Sequence, residues 1–168
     1  DDSGDLRLAA NQNCQAAQAE MEKQLVAAIK REGGQVKRAH PYDPIKQHGF
    51  IDSQKMGLQV FSGIPKDAPV IVAEAVWQYS HHVLPGLLEH QGPILTVANW
   101  SGTWPGLVAL LNHSATLSRL CIPHSRLWSE KFGEDDEFMK KLKMWTEGPC
   151  LLPQDAAHLT PGTKLKLD

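Results

Sequence analysis

Apolar residues recur along the first part of the chain at the three- and four-residue spacing of an amphipathic helix. The pattern spans residues 8–32 and stops at two consecutive glycines, which favour the end of a helix. The sequence therefore predicts a long first helix with one stripe facing the core. The members of that stripe are Cys14, Ala17, Met21, Leu25, Ala28 and Ile29.

Two continuous apolar runs further along are typical of strands that are buried on both faces. They are residues 69–76 and residues 94–98, and turn residues bound each of them. A third run, residues 121–128, contains Pro123. Because proline cannot donate to a strand ladder, this run is predicted at the edge of the sheet.

Helical patterns alternate with these strands. Ser53 can cap a second helix, and further helices are predicted at residues 83–89, from Gly106 to about residue 113, and at residues 137–145 with acidic residues before it. Residues 116–120 either extend the helix from Gly106 or form another turn. Pro105 fits the first turn of the helix at Gly106, and Ser101 or Thr103 can cap it. This alternation predicts an α/β, three-layer, Rossmann- or flavodoxin-like domain with a mostly parallel sheet.

The opening of the chain does not fit that fold class fully. A doubly wound domain usually begins with a buried strand, and the polar residues 1–8 cannot form one. Residues 35–40 suit a short, partly exposed strand, and residues 164–167 alternate lysine with leucine as another short strand would. Either the chain begins one strand late, or residues 164–167 take that place. We assign residues 1–149 to the α/β domain and residues 150–168 to a tail or linker.

Composition narrows the class of protein. The 168 residues carry a formal charge of −2, which provides no basic surface for nucleic acid or an anionic membrane. No apolar run approaches the ~18–20 residues of a transmembrane helix. Cys14, Cys121 and Cys150 lack the spacing of a zinc site and suit a reducing cytoplasm. Since the first residue is Asp1 and not methionine, we expect a chain trimmed from a longer protein.

Aromatic and polar side chains follow the two buried runs. Because both runs are predicted as parallel strands, their loops are expected to meet at one edge of the sheet. Aromatic faces beside amide groups are what a sugar requires, for stacking and for hydrogen bonds to its hydroxyls. The alternative is that the tryptophans close the sheet end or a subunit interface. The candidate substrate-binding residues are Trp77, Tyr79, Asn99, Trp100 and Trp104.

Local catalytic motifs are absent from the sequence. There is no Gly-x-Gly-x-x-Gly, Walker loop, His-Glu-x-x-His or Gly-x-Ser-x-Gly, and we assign no catalytic or metal-binding residue. Glu74 lies in a run that reads as buried, and a buried carboxylate indicates a functional site unless its strand is half exposed. The adjacent His81 and His82 point different ways and do not form a natural chelate.

Three spaced segments resemble a known family. They are AVWQYSHH from Ala75, GPILTVANWSGTWPG from Gly92 and IPHSRLWSE from Ile122. Over residues 8–145 the chain resembles the N-terminal domain of the L-fucose isomerase family, whose members carry a Trp-bearing loop, an Asn-x-x-x-x-Pro-Gly loop and a Pro-containing strand at similar intervals. By this resemblance Trp77 matches the family's loop tryptophan. Asn99, Trp100 and Trp104 fall in the second loop, whose details differ here.

The resemblance implies a cytoplasmic, Mn²⁺-dependent aldose–ketose isomerase of several domains that assembles as an oligomer and moves a proton between adjacent carbons through an enediol. The family's metal ligands belong to later domains, and its opening strand has no counterpart here. We therefore expect an N-terminal fragment that lines a sugar pocket and supports assembly but is inactive alone, with no cofactor of its own.

Two alternatives remain open from the residues. The first is a non-catalytic α/β module that binds sugar or serves assembly. The second is a flavodoxin-like domain with a phosphate at the turn formed by Ser101, Gly102 and Thr103 and at the helix start that follows it. That turn has few glycines for a phosphate loop.

Overall fold

The computed structural model of the chain describes residues 3–74, 80–100, 106–148 and 151–156. These residues form a mixed α/β fold around an all-parallel sheet in the order β1-β2-β3. The α/β class and the parallel sheet predicted from the sequence are thereby confirmed. The strands are β1 (Val70–Glu74), β2 (Ile94–Asn99) and β3 (Ser125–Ser129), and the helices are α1 (Ser3–Arg31), α2 (Gln54–Ser62), α3 (Leu84–Glu89), α4 (Leu107–Arg119), α5 (Asp136–Glu147) and α6 (Pro153–Ala156).

The central strand, β2, is buried on both faces, as its apolar run predicts. Leu95 and Val97 pack into a core cluster with residues of α1 and α5, whereas Ile94 packs with residues of α3 and α4. Because side chains alternate across a strand, these two clusters lie on opposite faces of the sheet. Helices therefore cover both faces of β2.

The first strand, β1, is less buried than its sequence predicts. Ile71, Val72 and Ala73 are only partly buried, although Val70 and Glu74 at the strand ends are buried. These side chains are more exposed because β1 forms an edge of the sheet, where it pairs with β2 alone among the described residues. A run of apolar residues indicates burial, but it does not say how many strands flank it.

Residues 35–40 form no strand, so that prediction is wrong. The Arg38 side chain, and not pairing with a strand, fixes the chain in this segment. The Arg38 guanidinium bonds Glu22 of α1 at 2.9 Å, the His40 carbonyl at 2.7 Å and the Gly49 carbonyl at 2.6 Å. A charged side chain with three partners fixes this segment without a neighbouring strand.

The stripe of α1 differs from the prediction at one place. Met21, Leu25, Ala28 and Ile29 are buried, but Ala17 is exposed and its neighbour Gln18 is buried. The Gln18 amide donates to Glu22 at 2.8 Å and to the Ala73 carbonyl at 3.4 Å. A polar side chain with partners can therefore occupy a position that an apolar pattern assigns elsewhere.

The predicted cap of the second helix is confirmed, and α5 begins with a cap that the sequence analysis did not assign. The Ser53 hydroxyl accepts from the Met56 amide at the start of α2, and the Asp135 carboxylate accepts from the Phe138 amide at the start of α5. Of the two alternatives for residues 116–120, the extension of the helix is confirmed, since α4 continues past residue 113 to Arg119.

The third strand begins later than predicted and leaves Pro123 outside the ladder, although it lies at the predicted sheet edge. The chain after α5 returns to this strand: the Leu152 amide donates to the Ser125 hydroxyl at 2.9 Å, and Asp155 accepts from the Arg126 guanidinium at 3.1 Å. Residues 164–167 lie outside the described residues. No helix within the described ranges is both long and apolar enough to cross a membrane.

Candidate functional site

The carboxyl ends of the three strands meet at one edge of the sheet. Glu74 lies opposite Ala98, and Asn99 lies opposite Ser129, in an unbroken parallel register. This is the edge at which open α/β sheets bind ligands. Of the candidate residues, Asn99 ends β2 and Trp100 follows it, whereas Trp77, Tyr79 and Trp104 lie outside the described residues.

The start of α4 packs tightly against this edge. The Asn99 side-chain oxygen accepts a hydrogen bond from the Gly106 amide at 3.0 Å. A Cβ atom on Gly106 would lie only 1.7 Å from the Glu74 carbonyl oxygen, so no other residue fits without a backbone shift. Gly106 is the N-cap, and no side chain among the described residues caps the helix there; the expected caps Ser101 and Thr103 lie outside those residues. Asn99 thus ties the helix to the sheet edge.

Trp100 presents a large aromatic surface beside that junction. Its backbone amide donates to the Ser129 carbonyl at 3.1 Å, which extends the pairing of β2 with β3. Its side chain remains 52% exposed. An aromatic ring on a fixed backbone loses little entropy when a ligand stacks on it. Trp100 therefore meets the requirement for a stacking residue.

A buried carboxyl–imidazole pair lies behind the edge. Glu74 is only 8% exposed, and its Oε1 bonds Nδ1 of His113, which lies within α4 and is itself buried. Glu74 Oε2 has no hydrogen-bond partner among the described residues. The sequence indicated Glu74 but not His113. In the sequence, His113 lies on the apolar face of a helix. A histidine in that position is more often a core residue whose hydrogen bonds are satisfied than a functional residue.

Burial raises the pKa of the Glu74 carboxyl above its usual range, and the hydrogen bond and charge of His113 oppose that rise. A carboxyl in this setting can hold or release a proton closer to neutral pH than an exposed one. The pair is therefore the best candidate for acid–base behaviour in the described part of the chain.

The raised pKa gives a first prediction. A group whose pKa is higher in the folded state stabilises the fold fully below its unfolded pKa, and this stabilisation is lost as pH rises through the folded pKa. Glu74→Gln removes the titration while keeping the shape. We expect the stability of the variant, relative to wild type, to increase as pH rises from about 4 towards 7. Urea unfolding at several pH values measures this, and a constant difference would contradict it.

A cavity of about 620 Å³ opens beside Glu74 along the free edge of β1; we call it the β1 cavity. Glu74 and His113 lie in its wall, together with Gln18, Glu22 and Arg38. Its remaining wall is largely apolar and comes mainly from α1, the end of α2, the chain between them and the residue before α3. The main apolar contributors are Leu25, Ile29, Phe50, Phe61, Ile64 and Val83.

Asp135, one of the acidic residues at the start of α5, is the N-cap of that helix. The Asp135 carboxylate accepts from the Phe138 amide at 2.9 Å and from the Ser129 hydroxyl at 2.7 Å. The hydrogen bond from the Phe138 amide has the larger effect and the bond from the Ser129 hydroxyl adds to it, and together they hold the pKa of Asp135 below its usual range. His82 is likewise held by a backbone contact, from its Nδ1 to the Ile51 carbonyl at 3.2 Å.

The described residues contain no group of three His, Cys, Asp or Glu side chains that could hold a metal ion. The donor set of this part of the chain therefore does not fit the Mn²⁺ that the family resemblance implies. No protein-family model, curated protein or solved structure gives a significant match to this chain.

Proposed function

We propose that this chain is the N-terminal, three-layer α/β domain of a cytoplasmic aldose–ketose isomerase resembling L-fucose isomerase. In this proposal it lines a sugar pocket and contributes to assembly of the oligomer. The observation that carries the proposal is the parallel register, which puts Glu74, Asn99 and the exposed Trp100 at one edge of the sheet. Trp77, Tyr79 and Trp104 remain predicted members of the same pocket.

The chemistry of this edge suits a sugar better than a phosphate. Trp100 offers a face for the C–H groups of a pyranose. A carboxylate beside the site disfavours an anionic ligand. We propose no metal-dependent step for these residues, because their donor set does not fit the ion; in a full-length isomerase the metal would belong to other domains.

A second part of the proposal concerns assembly. Val108 and Leu111 lie three residues apart on α4, and each is nearly half exposed. Leu88 of α3 is similarly exposed. Both helices contribute to one core cluster, through Leu87 and Leu117, so they cover the same face of the sheet. Exposed apolar side chains on such helices are typical of a surface that another domain or subunit covers. This surface also supports the alternative of a non-catalytic sugar-binding or assembly module.

Sugar binding tests the proposal directly. We expect L-fucose or L-arabinose to shift the indole signal of Trp100 in NMR titrations of this chain, and we expect Trp100→Ala to weaken binding roughly tenfold, since loss of an aromatic contact is worth about 0.5–1.5 kcal/mol beyond its area. The fold is expected to change little, because half of this side chain is already in water.

Trp128→Ala is the matched control. This tryptophan is 44% exposed but lies within β3, one residue before the carboxyl end of the strand. Its replacement is expected to leave sugar affinity unchanged. Equal losses in both variants would contradict a site at Trp100, and no response to either sugar in the wild-type chain would contradict the proposed function.

A further inference from the structure

The connections of the chain point to a fourth strand position beside β1. Helix α3 leads from β1 to β2 and α4 leads from β2 to β3, so each helix moves the chain by one place across the sheet. Helix α2 leads into β1 in the same way. Phe61 of α2, Leu87 of α3 and Leu117 of α4 pack in one core cluster, so the three helices cover the same face. Because crossovers between parallel strands keep one hand, a strand before α2 belongs on the free side of β1.

Helix α1 crosses this free side antiparallel to β1. Its Gln18 amide donates to the carbonyl of Ala73, near the carboxyl end of β1, at 3.4 Å. At the other end of α1, a Cβ atom on Gly34 would lie 3.5 Å from Thr146, in the last turn of α5. Because α5 starts at the carboxyl edge of the sheet and packs across the core cluster, Thr146 and Gly34 lie towards the amino edge. The chain after Gly34 therefore sets out from the edge at which the parallel strands begin.

Residues 35–40 return along β1 without pairing with it. The Arg38 guanidinium bonds Glu22, which lies a turn further along α1 than Gln18, so this segment advances towards the carboxyl edge, parallel to β1. Among the described residues, no backbone–backbone hydrogen bond holds it. The segment and the whole of β1 both line the β1 cavity of about 620 Å³. Since protein interiors are close-packed, a void of this size between two extended segments is unfavourable.

We propose that residues 35–40 are a strap that closes onto β1 as a fourth, parallel strand and removes the β1 cavity. This structure then shows the open form. Of the three partners of Arg38, the His40 carbonyl moves with the strap and Glu22 lies on α1 beside the cavity. Only the third bond, to the Gly49 carbonyl, ties Arg38 to the chain outside the cavity edge, and it is the bond that closure breaks.

Backbone direction and side-chain face are linked in this sheet. The Val70 amide donates to the Pro93 carbonyl at 2.9 Å, on the β2 side, so the backbone groups of Ile71 and Ala73 point to the free edge. The side chains of Ile71 and Ala73 pack against the core cluster on the α1 face. All strands of a parallel sheet repeat this link, because they run the same way and share one chirality.

The link assigns a direction to each residue of the closed strap. Arg38 reaches Glu22 on α1, so the side chains of Val36 and Arg38 face α1 and their backbone groups point away from β1. The N–H and C=O groups of Lys37 and Ala39 therefore point towards β1 and pair with it. The side chains of these two residues lie on the α2 face, where the lysine stem packs and its ammonium group stays in water at the sheet edge.

Closure of the strap also changes the surroundings of the buried carboxyl–imidazole pair. Glu74 and His113 both lie in the wall of the β1 cavity. In the open form the cavity is a route by which water approaches this wall, and the closed strap removes that route. The strap is thus a gate on the cavity, and it does not depend on sugar binding at the carboxyl edge.

Amide hydrogen exchange of the 168-residue chain tests the strap. We expect the Ile71 and Ala73 amides to be protected in wild type and to exchange at least about tenfold faster in Ala39→Pro, which lacks an N–H that points to β1. Val36→Pro is the matched control, because it removes an N–H that points away from β1, and it is expected to keep wild-type protection. The Val97 amide, in the central strand, reports that each variant remains folded.

Any of the following results would overturn the proposal. Rapid exchange of Ile71 and Ala73 in wild type would mean that the strap stays open. Equal protection in wild type and Ala39→Pro, or equal loss in both proline variants, would mean that the strap does not pair with β1 as a parallel strand. Protection that appears only at high concentration, together with a dimer in sedimentation, would assign the added strand to a second copy. If Ala39→Pro loses protection at Val97, Lys37→Pro is measured against the same outcomes.

Discussion

Gly106→Ala is expected to lower the free energy of unfolding by about 3 kcal/mol, which corresponds to a fall of roughly 6–12 °C in Tm for a chain of this size. A Cβ atom at this position would lie 1.7 Å from the Glu74 carbonyl oxygen and 2.5 Å from its carbon. Both are backbone atoms, so no rotamer change relieves the overlap and α4 must move away from β1. Thermal and urea unfolding measure the loss.

Gly63→Ala is the control for this prediction. Gly63 ends α2 with φ −90° and ψ −3°, which alanine adopts readily, and an added Cβ would approach only the Val60 carbonyl at 3.5 Å. We expect a change within about 0.5 kcal/mol. If Gly106→Ala were as mild as Gly63→Ala, the close packing of α4 against the end of β1 would be wrong.

His113→Ala is expected to cost about 3–5 kcal/mol near neutral pH, because it leaves the Glu74 carboxylate buried without its partner. The cost is expected to shrink towards pH 4, where the raised pKa of Glu74 keeps its carboxyl protonated and neutral. Urea unfolding of wild type and variant at both pH values measures this. His124→Ala is the control, since His124 is also buried but its Nδ1 donates to the Ile122 carbonyl.

A double-mutant cycle isolates the pair itself. Glu74→Gln combined with His113→Ala is expected to cost less than the sum of the two single changes by about 0.5–3 kcal/mol, because the second change removes a group already deprived of its partner. Additive effects would show that the two side chains contribute independently. In that case their contact has no energetic role in the fold.

The carboxyl edge of the sheet was largely predictable from the sequence. The run at residues 94–98 is apolar throughout, and Asn99 and Trp100 follow it, so their place at a strand end follows from pattern alone. His113 was not predictable as the partner of Glu74. The two residues are 39 positions apart, and their contact depends on how α4 crosses the end of β1.

The burial of β1 was also only partly predictable from the sequence. Its five residues are as apolar as a central strand, apart from Glu74, and the sequence predicts a strand buried on both faces. Only the arrangement of α1 and α2 on either side of the β1 cavity shows a strand position that no described residue fills. The burial of a strand depends on how many strands flank it, and the pattern of apolar residues within the strand does not specify that number.

The sequence by itself determined the order and type of α1 to α5 and of β1 to β3, the cap of α2 and the parallel sheet, because local spacing and capping act within a few residues. Tertiary structure alone decided that Gln18 replaces Ala17 in the core, that Arg38 holds residues 35–40 outside any sheet, and that Glu74 meets His113. These outcomes depend on which distant groups come within hydrogen-bond reach. Such contacts exist only once the helices have packed on the sheet.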